Sequence, residues 1–192
     1  MKILVCISSV PDTTSKINFT ADKSAFDKNG IQWVINPLDE FALTKAIKLQ
    51  ESQGATVTVL NVGDAGTEAV IRKALAIGAN DAVRVNAEAK DSFSVAKEIA
   101  KVAQDGGYDL ILTGKESIDY NGGAVPGMVA QLLNIPFVNA SVGLDVNGSE
   151  ATVVREIEGG KETISVKLPA VVAGQKGLVD EKDLIIPNMI GI

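Results

Sequence analysis

Short, unbroken apolar runs alternate along this chain with longer stretches in which apolar residues recur every three or four positions. Lys2–Ile7 is brief and rich in β-branched residues, the mark of a strand buried on both faces. Asn36-Pro37 then opens a helix: Asn36 suits the N-cap, Pro37 the first helical position, and Asp39 and Glu40 complement the positive end of the dipole. Leu38, Ala42, Leu43, Ala46, Ile47 and Leu49 form its apolar face, and Gly54 stops it. The same alternation predicts strands at Val57–Val62, Ala82–Val85 and Asp109–Thr113. It predicts helices at Thr67–Ile77, with Val70, Ala74, Leu75 and Ile77 inward, at Ser92–Gln104, with Val95, Ile99, Val102 and Ala103 inward, and at Val125–Leu133.

Strands alternating with helices imply βαβ units. The fold class is therefore α/β: a doubly wound, mostly parallel sheet with helices on both faces, Rossmann-like in its winding. After Phe137 the pattern changes. Leu144–Val154 and Thr163–Leu168 read as short strands around the turn pairs Asn147-Gly148 and Gly159-Gly160, a C-terminal hairpin. Ala170–Ala173 reads as a last buried strand. The expectation is one domain over residues 1–175, followed by a loosely structured tail over 176–192.

Composition narrows the chemistry. The chain has no histidine, which excludes Ser-His-Asp and Cys-His nucleophilic systems and His-ligated metals. Its single cysteine, Cys6, excludes an internal disulfide or a CxxC pair and reads as a buried, unreactive thiol. A net charge of −6 with only 4% aromatics argues against a nucleic-acid partner. With 46% apolar residues and no apolar run near ~18 residues, the sequence predicts a chain with a substantial core that is not membrane-embedded.

In an open parallel sheet, ligands lie beyond the carboxyl ends of the strands, where helix N-termini offer free N–H groups. Ser8-Ser9-Val10-Pro11, Gly63-Asp64-Ala65-Gly66 and Asn86-Ala87-Glu88 follow three such ends. The richest follows the fourth: Gly114-Lys115-Glu116-Ser117-Ile118-Asp119-Tyr120-Asn121-Gly122-Gly123, running through Ala124 into the helix at Val125. Its glycines permit close backbone approach to a phosphate, Lys115 can neutralise one, and Asp119 or Asn121 can bond a ribose. It matches neither GxGxxG nor GxxxxGK[ST], so its chemistry reads equally as a nucleotide loop or a plain connector. Trp33 reads as a packing anchor, and Arg155, Glu156 and Glu158 as a solvated hairpin edge.

One long segment is more specific: Val153-Val154-Arg155-Glu156-Ile157-Glu158-Gly159-Gly160-Lys161-Glu162-Thr163-Ile164, then Lys167-Leu168-Pro169-Ala170-Val171-Val172-Ala173. It resembles the signature of the electron transfer flavoprotein beta subunit. Val10-Pro11-Asp12, Asn36-Pro37-x-Asp39-Glu40, Ala74-Leu75-Ala76-Ile77-Gly78-Ala79 and Asp109 to Lys115 with Ser117-Ile118-Asp119 agree in order, so the resemblance spans nearly the whole chain. It implies a soluble heterodimer with an alpha subunit, carrying electrons from flavin dehydrogenases such as acyl-CoA dehydrogenases to a quinone oxidoreductase or another acceptor. It implies a redox FAD held mainly by alpha, and AMP or a second FAD in the beta site. Carried onto this sequence, the cofactor-binding residues are Cys6, Asn36, Pro37, Leu38, Asp39, Val62, Gly114, Lys115, Ser117, Ile118, Asp119, Asn121, Gly122, Gly123, Ala124 and Val125.

The resemblance further implies an electron carrier rather than an enzyme, in a bacterial cytoplasm or a mitochondrial matrix. Asp180-Glu181-Lys182 stands where many members carry Glu-Pro-Arg, Ile190 where an Arg often follows Pro-Asn-Met, and Thr13 near an aromatic that approaches the flavin. Family chains continue past the position of Ile192 into a recognition loop and a C-terminal arm. The rival readings are a stand-alone adenine-nucleotide-binding stress or sensor module, and an adenylate-transferring enzyme. The second would want a phosphate-gripping glycine motif and a magnesium-binding carboxylate set that the sequence does not present.

Overall fold

A computed structural model describes residues 1–187. Its elements are β1 (Lys2–Cys6), β2 (Ser9–Pro11), β3 (Trp33–Ile35), α1 (Pro37–Gln53), β4 (Thr56–Val62), α2 (Glu68–Ile77), β5 (Asp81–Val85), α3 (Ser92–Gly106), β6 (Leu110–Gly114), α4 (Val125–Leu133), β7 (Phe137–Asn147), β8 (Glu150–Ile157), β9 (Gly160–Lys167) and β10 (Ala170–Gly174). Eight strands form one sheet in the order β5-β4-β1-β6-β10-β7-β8-β9. The six from β5 to β7 are parallel, and β7, β8 and β9 form an antiparallel meander at one edge.

Alternation along the strands builds two cores. Ile3, Val5, Val57, Val59 and Leu112 pack toward α1 and α2. Leu4, Cys6, Leu60, Ile111 and Val171 pack toward α3 and α4. This is the doubly wound α/β sheet that the pattern predicts, because central strands covered on both faces must be apolar at every position.

Several local details depart from the periodicity. In α2, Ile71 is buried and Leu75 is exposed, since the contact face is set by β3, β4 and β5 rather than by the apolar stripe alone. In α3 the fully buried positions are Ala96, Ile99, Ala100 and Ala103: small residues let the helix approach the sheet, leaving Val95 and Val102 at the margin. The hairpin is not an appendage, because β10 returns into the middle of the sheet between β6 and β7, and β8 and β9 simply prolong it. The tail expected to be loose packs down as far as it is described: Leu178 and Val179 are buried, Lys48 Nζ meets Asp183 Oδ2 at 2.6 Å, and Thr44 Oγ1 accepts from the Ile185 N–H at 3.3 Å. Expectations for residues 188–192 lie outside the described residues.

Candidate functional site

Strand order reverses direction between β1 and β6. From β1 the chain steps outward to β4 and then β5, and α3 carries it back to the other side of β1 as β6. Such a switch point leaves a crevice at the carboxyl ends, because the helices leaving the neighbouring strands diverge to opposite faces. A cavity of about 980 Å³ opens there. Of the residues singled out from the sequence, Cys6, Asp39, Val62, Gly114, Ser117, Asp119, Gly122, Gly123, Ala124 and Val125 line it.

Three segments meet at its floor. Asp39, in the first turn of α1, accepts the Ser8 N–H through Oδ2 at 2.7 Å and the Gly114 N–H through Oδ1 at 2.7 Å. One carboxylate thereby fastens the end of β1 to the end of β6. Burial, with a smaller push from nearby Asp119, raises its pKa from the ordinary carboxylate value to about 7, against the lowering pull of those two N–H groups and of the Asn36 side chain. Cys6 is buried beneath, and both burial and the Asp39 charge drive its thiol far above the ordinary range, so it stays protonated and inert.

Asn36 does not line the cavity. It is fully buried behind the Gly114 loop, where its side-chain amide donates to the Glu116 carbonyl at 2.9 Å and its Oδ1 accepts the Ile118 N–H at 3.1 Å. Pro37, Leu38, Lys115 and Ile118 line a separate hollow on the other side of that loop, with Glu156, Gln175 and Lys176. Lys115 Nζ stands 4.0 Å from Glu116 Oε1 there, rather than in the main cavity. Asn121 holds the turn, with φ of +51° and its N–H donating to the Ser117 carbonyl at 2.8 Å.

The helix N-termini around the cavity are not equivalent. Before α2, the Asp64 carboxylate accepts the Gly66 N–H at 2.8 Å. At α3, Asp91 accepts the Ser94 N–H at 2.7 Å in a capping box. These two ends already hold a negative group of their own. At α4 no side chain caps the first turn, and Gly122, Gly123, Ala124 and Val125 all border the cavity. Gly123 takes φ of +59°, which turns the backbone into that approach. An uncapped helix end reached through two glycines is where this site can take a phosphate.

Sequence reasoning named the strand ends but not all of the wall. Asn61 ties β4 to β1 by donating to the Ile7 carbonyl at 2.9 Å, while its Oδ1 stays buried without a partner among the described residues. Lys28, Trp33, Thr67 and the Asn86–Ser92 stretch also line the cavity. The strand-end rule reached Asn86-Ala87-Glu88 and Gly63-Asp64, yet no motif marked them. Lys28 comes from an excursion between β2 and β3 that carries no periodic signal, and Trp33 from the short strand β3 at its end.

Comparison with known proteins gives a consistent picture. The model of the family described as "Electron transfer flavoprotein domain" matches residues 24–188. The chain is 35% identical over 194 residues to the electron transfer flavoprotein subunit beta of Bacillus subtilis, covering 99% of this chain and 75% of that protein. It is 34% identical over 192 residues to the subunit beta of Bradyrhizobium diazoefficiens, covering 99% and 77%. A mitochondrial subunit beta from Oryza sativa subsp. japonica is 34% identical over 196 residues, covering 99% and 78%.

Proposed function

The chain belongs to the electron transfer flavoprotein beta-subunit family, and we propose that it serves as the nucleotide-holding half of an electron-carrying heterodimer. Its partner is an alpha subunit that holds most of the redox FAD. The pair carries electrons from flavin dehydrogenases, such as acyl-CoA dehydrogenases, to a quinone oxidoreductase or another acceptor, in a bacterial cytoplasm or a mitochondrial matrix. No helix among the described residues is long and apolar enough to cross a membrane.

The switch-point cavity takes the adenylate portion of AMP or of a second FAD. One observation carries this assignment: the first turn of α4 has no side-chain cap among the described residues and is entered through Gly122 and Gly123 on the cavity wall, whereas Asp64 in the turn before α2, Asp91 at α3 and Asp39 in the first turn of α1 each put a carboxylate at the other helix ends there. The donors fit the group, because free N–H groups of Gly123, Ala124 and Val125 suit a phosphate, and the buried Asn61 Oδ1 in the wall is an acceptor that a base amine would satisfy. A bound flavin supplies the electron-accepting chemistry. The chain supplies shape, hydrogen bonds and exclusion of water.

Co-purification with an alpha subunit, followed by mass spectrometry and absorbance of the released ligand, tests the proposal. About one flavin per heterodimer with AMP recovered places AMP in the cavity, and about two flavins place FAD there. A chain that elutes alone and releases no adenine nucleotide overturns it.

A further inference from the structure

The floor of the cavity carries a charge that no cation neutralises. Asp39 is 4% exposed, and its carboxylate is met by the Ser8 and Gly114 N–H groups, with no Lys or Arg within ion-pair distance among the described residues. The groups that face it are of its own sign or neutral. Asp119 of the loop after β6 repels it, and the Cys6 thiol of β1 is held protonated. Asp64 from the end of β4 and Glu116 from the β6 loop border the same cavity, while Lys28 and Lys90 border it from the β2–β3 excursion and the approach to α3. Glu40, the next residue of α1, feels Lys73 instead, and Lys115 lies over the separate hollow.

Resting on the reading of this cavity as a nucleotide site, we propose that Asp39 is a positioning residue whose carboxyl group couples the arrival of an anionic nucleotide to proton uptake from solvent. Two opposing influences place the carboxyl between its forms near neutrality. Burial disfavours the carboxylate, and the two short N–H contacts favour it, which leaves its pKa at about 7. A phosphate entering the same low-dielectric space adds negative charge and tilts this balance toward the acid. Linkage makes the effect reciprocal: whatever the nucleotide does to the proton, the proton does to the nucleotide. The proton adds to one carboxyl oxygen without displacing either N–H, since each oxygen retains a lone pair to accept its bond. The clasp between β1 and β6 therefore survives protonation, and only the charge beneath the ligand changes.

The test uses the full chain, stripped of nucleotide and carrying carbon-13 at its aspartate carboxyls. Asp39 is titrated alone, with AMP or FAD bound, and with the uncharged nucleoside adenosine as control. The expected result is a midpoint moved upward by about one unit with AMP or FAD and unmoved with adenosine. The AMP dissociation constant should correspondingly weaken by roughly tenfold from pH 6 to pH 8.5. In Asp39→Asn that dependence should shrink to what the phosphate's own second ionisation produces. An unmoved Asp39 midpoint with AMP or FAD demonstrably bound overturns the coupling and leaves the nucleotide site standing. Failure of both ligands to bind at any pH overturns the two together. Because the carboxyl titration uses the unsubstituted chain, it decides the matter even if Asp39→Asn does not fold.

Discussion

Asp39 Oδ1 accepts a hydrogen bond from the Gly114 amide at 2.7 Å, and a methyl group built on Gly114 would lie 2.6 Å from that same oxygen. The bond and the missing side chain are one requirement. The first turn of α1 can reach the end of β6 only if position 114 has no Cβ. Leu38 crowds the position from the same side, with its Cβ at 2.8 Å and its carbonyl carbon at 3.0 Å.

Gly114→Ala is accordingly expected to destabilise the protein by about 1–3 kcal/mol, the usual cost of forcing extra volume into a packed contact. Nucleotide content after purification should fall in parallel, because the β1–β6 clasp opens. Urea unfolding and ligand release from the same preparation measure both. Wild-type stability with wild-type nucleotide content contradicts the clasp.

Asn36 holds the loop from behind through two hydrogen bonds, without which the Glu116 carbonyl and the Ile118 N–H have no partner among the described residues. Asn36→Ala should cost about 2–4 kcal/mol, since both stranded backbone groups are at least half-buried. The Ile118 amide should then exchange with solvent orders of magnitude faster, while amides of β8 and β9 keep their relative protection. Hydrogen exchange read by mass spectrometry or NMR separates this local loosening from global destabilisation.

Stability should depend on pH through Asp39 in a defined direction. Its folded value of about 7 lies above the ordinary 3.8 expected in the unfolded chain, so the folded state binds the proton more tightly. This group's contribution is fully present below about 4, declines as pH rises, and is lost above about 7. Unfolding free energies of the wild type and Asp39→Asn between pH 5 and 8.5 should therefore converge or cross as pH rises, by roughly 2–4 kcal/mol in all. A constant difference across that range contradicts the raised value.

The two sides of the Gly114 loop should respond differently to substitution. Gly123→Val places a β-branched residue at φ of +59° beside the uncapped end of α4, so nucleotide retention should drop at least tenfold. Lys115→Ala should leave retention within about twofold, because Lys115 borders the other hollow beside Glu116. Equilibrium dialysis with AMP and with FAD reads both. Equal losses in the two variants would place the phosphate on the Lys115 side instead.

Much of this architecture was legible in the order of residues. Asn36-Pro37 before an apolar face stopped by Gly54 yields a helix whose bounds match α1, and the run Val125–Leu133 coincides with α4. The parallel sheet follows from the same alternation, since strands buried on both faces must be continuously apolar and each needs a helix to return. The strand-end rule also pointed at the Gly114 loop, and the long segment around Gly159-Gly160 carried the family resemblance that the relatives bear out.

Which face of that loop meets the cavity was not legible, because it depends on contacts between residues far apart in the chain. Asp39 and Gly114 are 75 positions apart, and Asn36 and Ile118 are 82 apart. Local pattern reads Asp39 as a carboxylate suited to a helix dipole and Asn36 as an N-cap. Packing turns Asp39 into a buried clasp between two strands and Asn36 into a brace without a side-chain cap bond. The same holds for Lys115: its position beside Gly114 suggests a phosphate partner, but the turn set by Asn36 carries it over the other rim. Periodicity encodes which side of an element is apolar, and that suffices for the sheet and its helices. The charge and protonation of a carboxyl group depend on which dipoles and which water remain around it after the strands close, and this is a property of the assembled switch point alone.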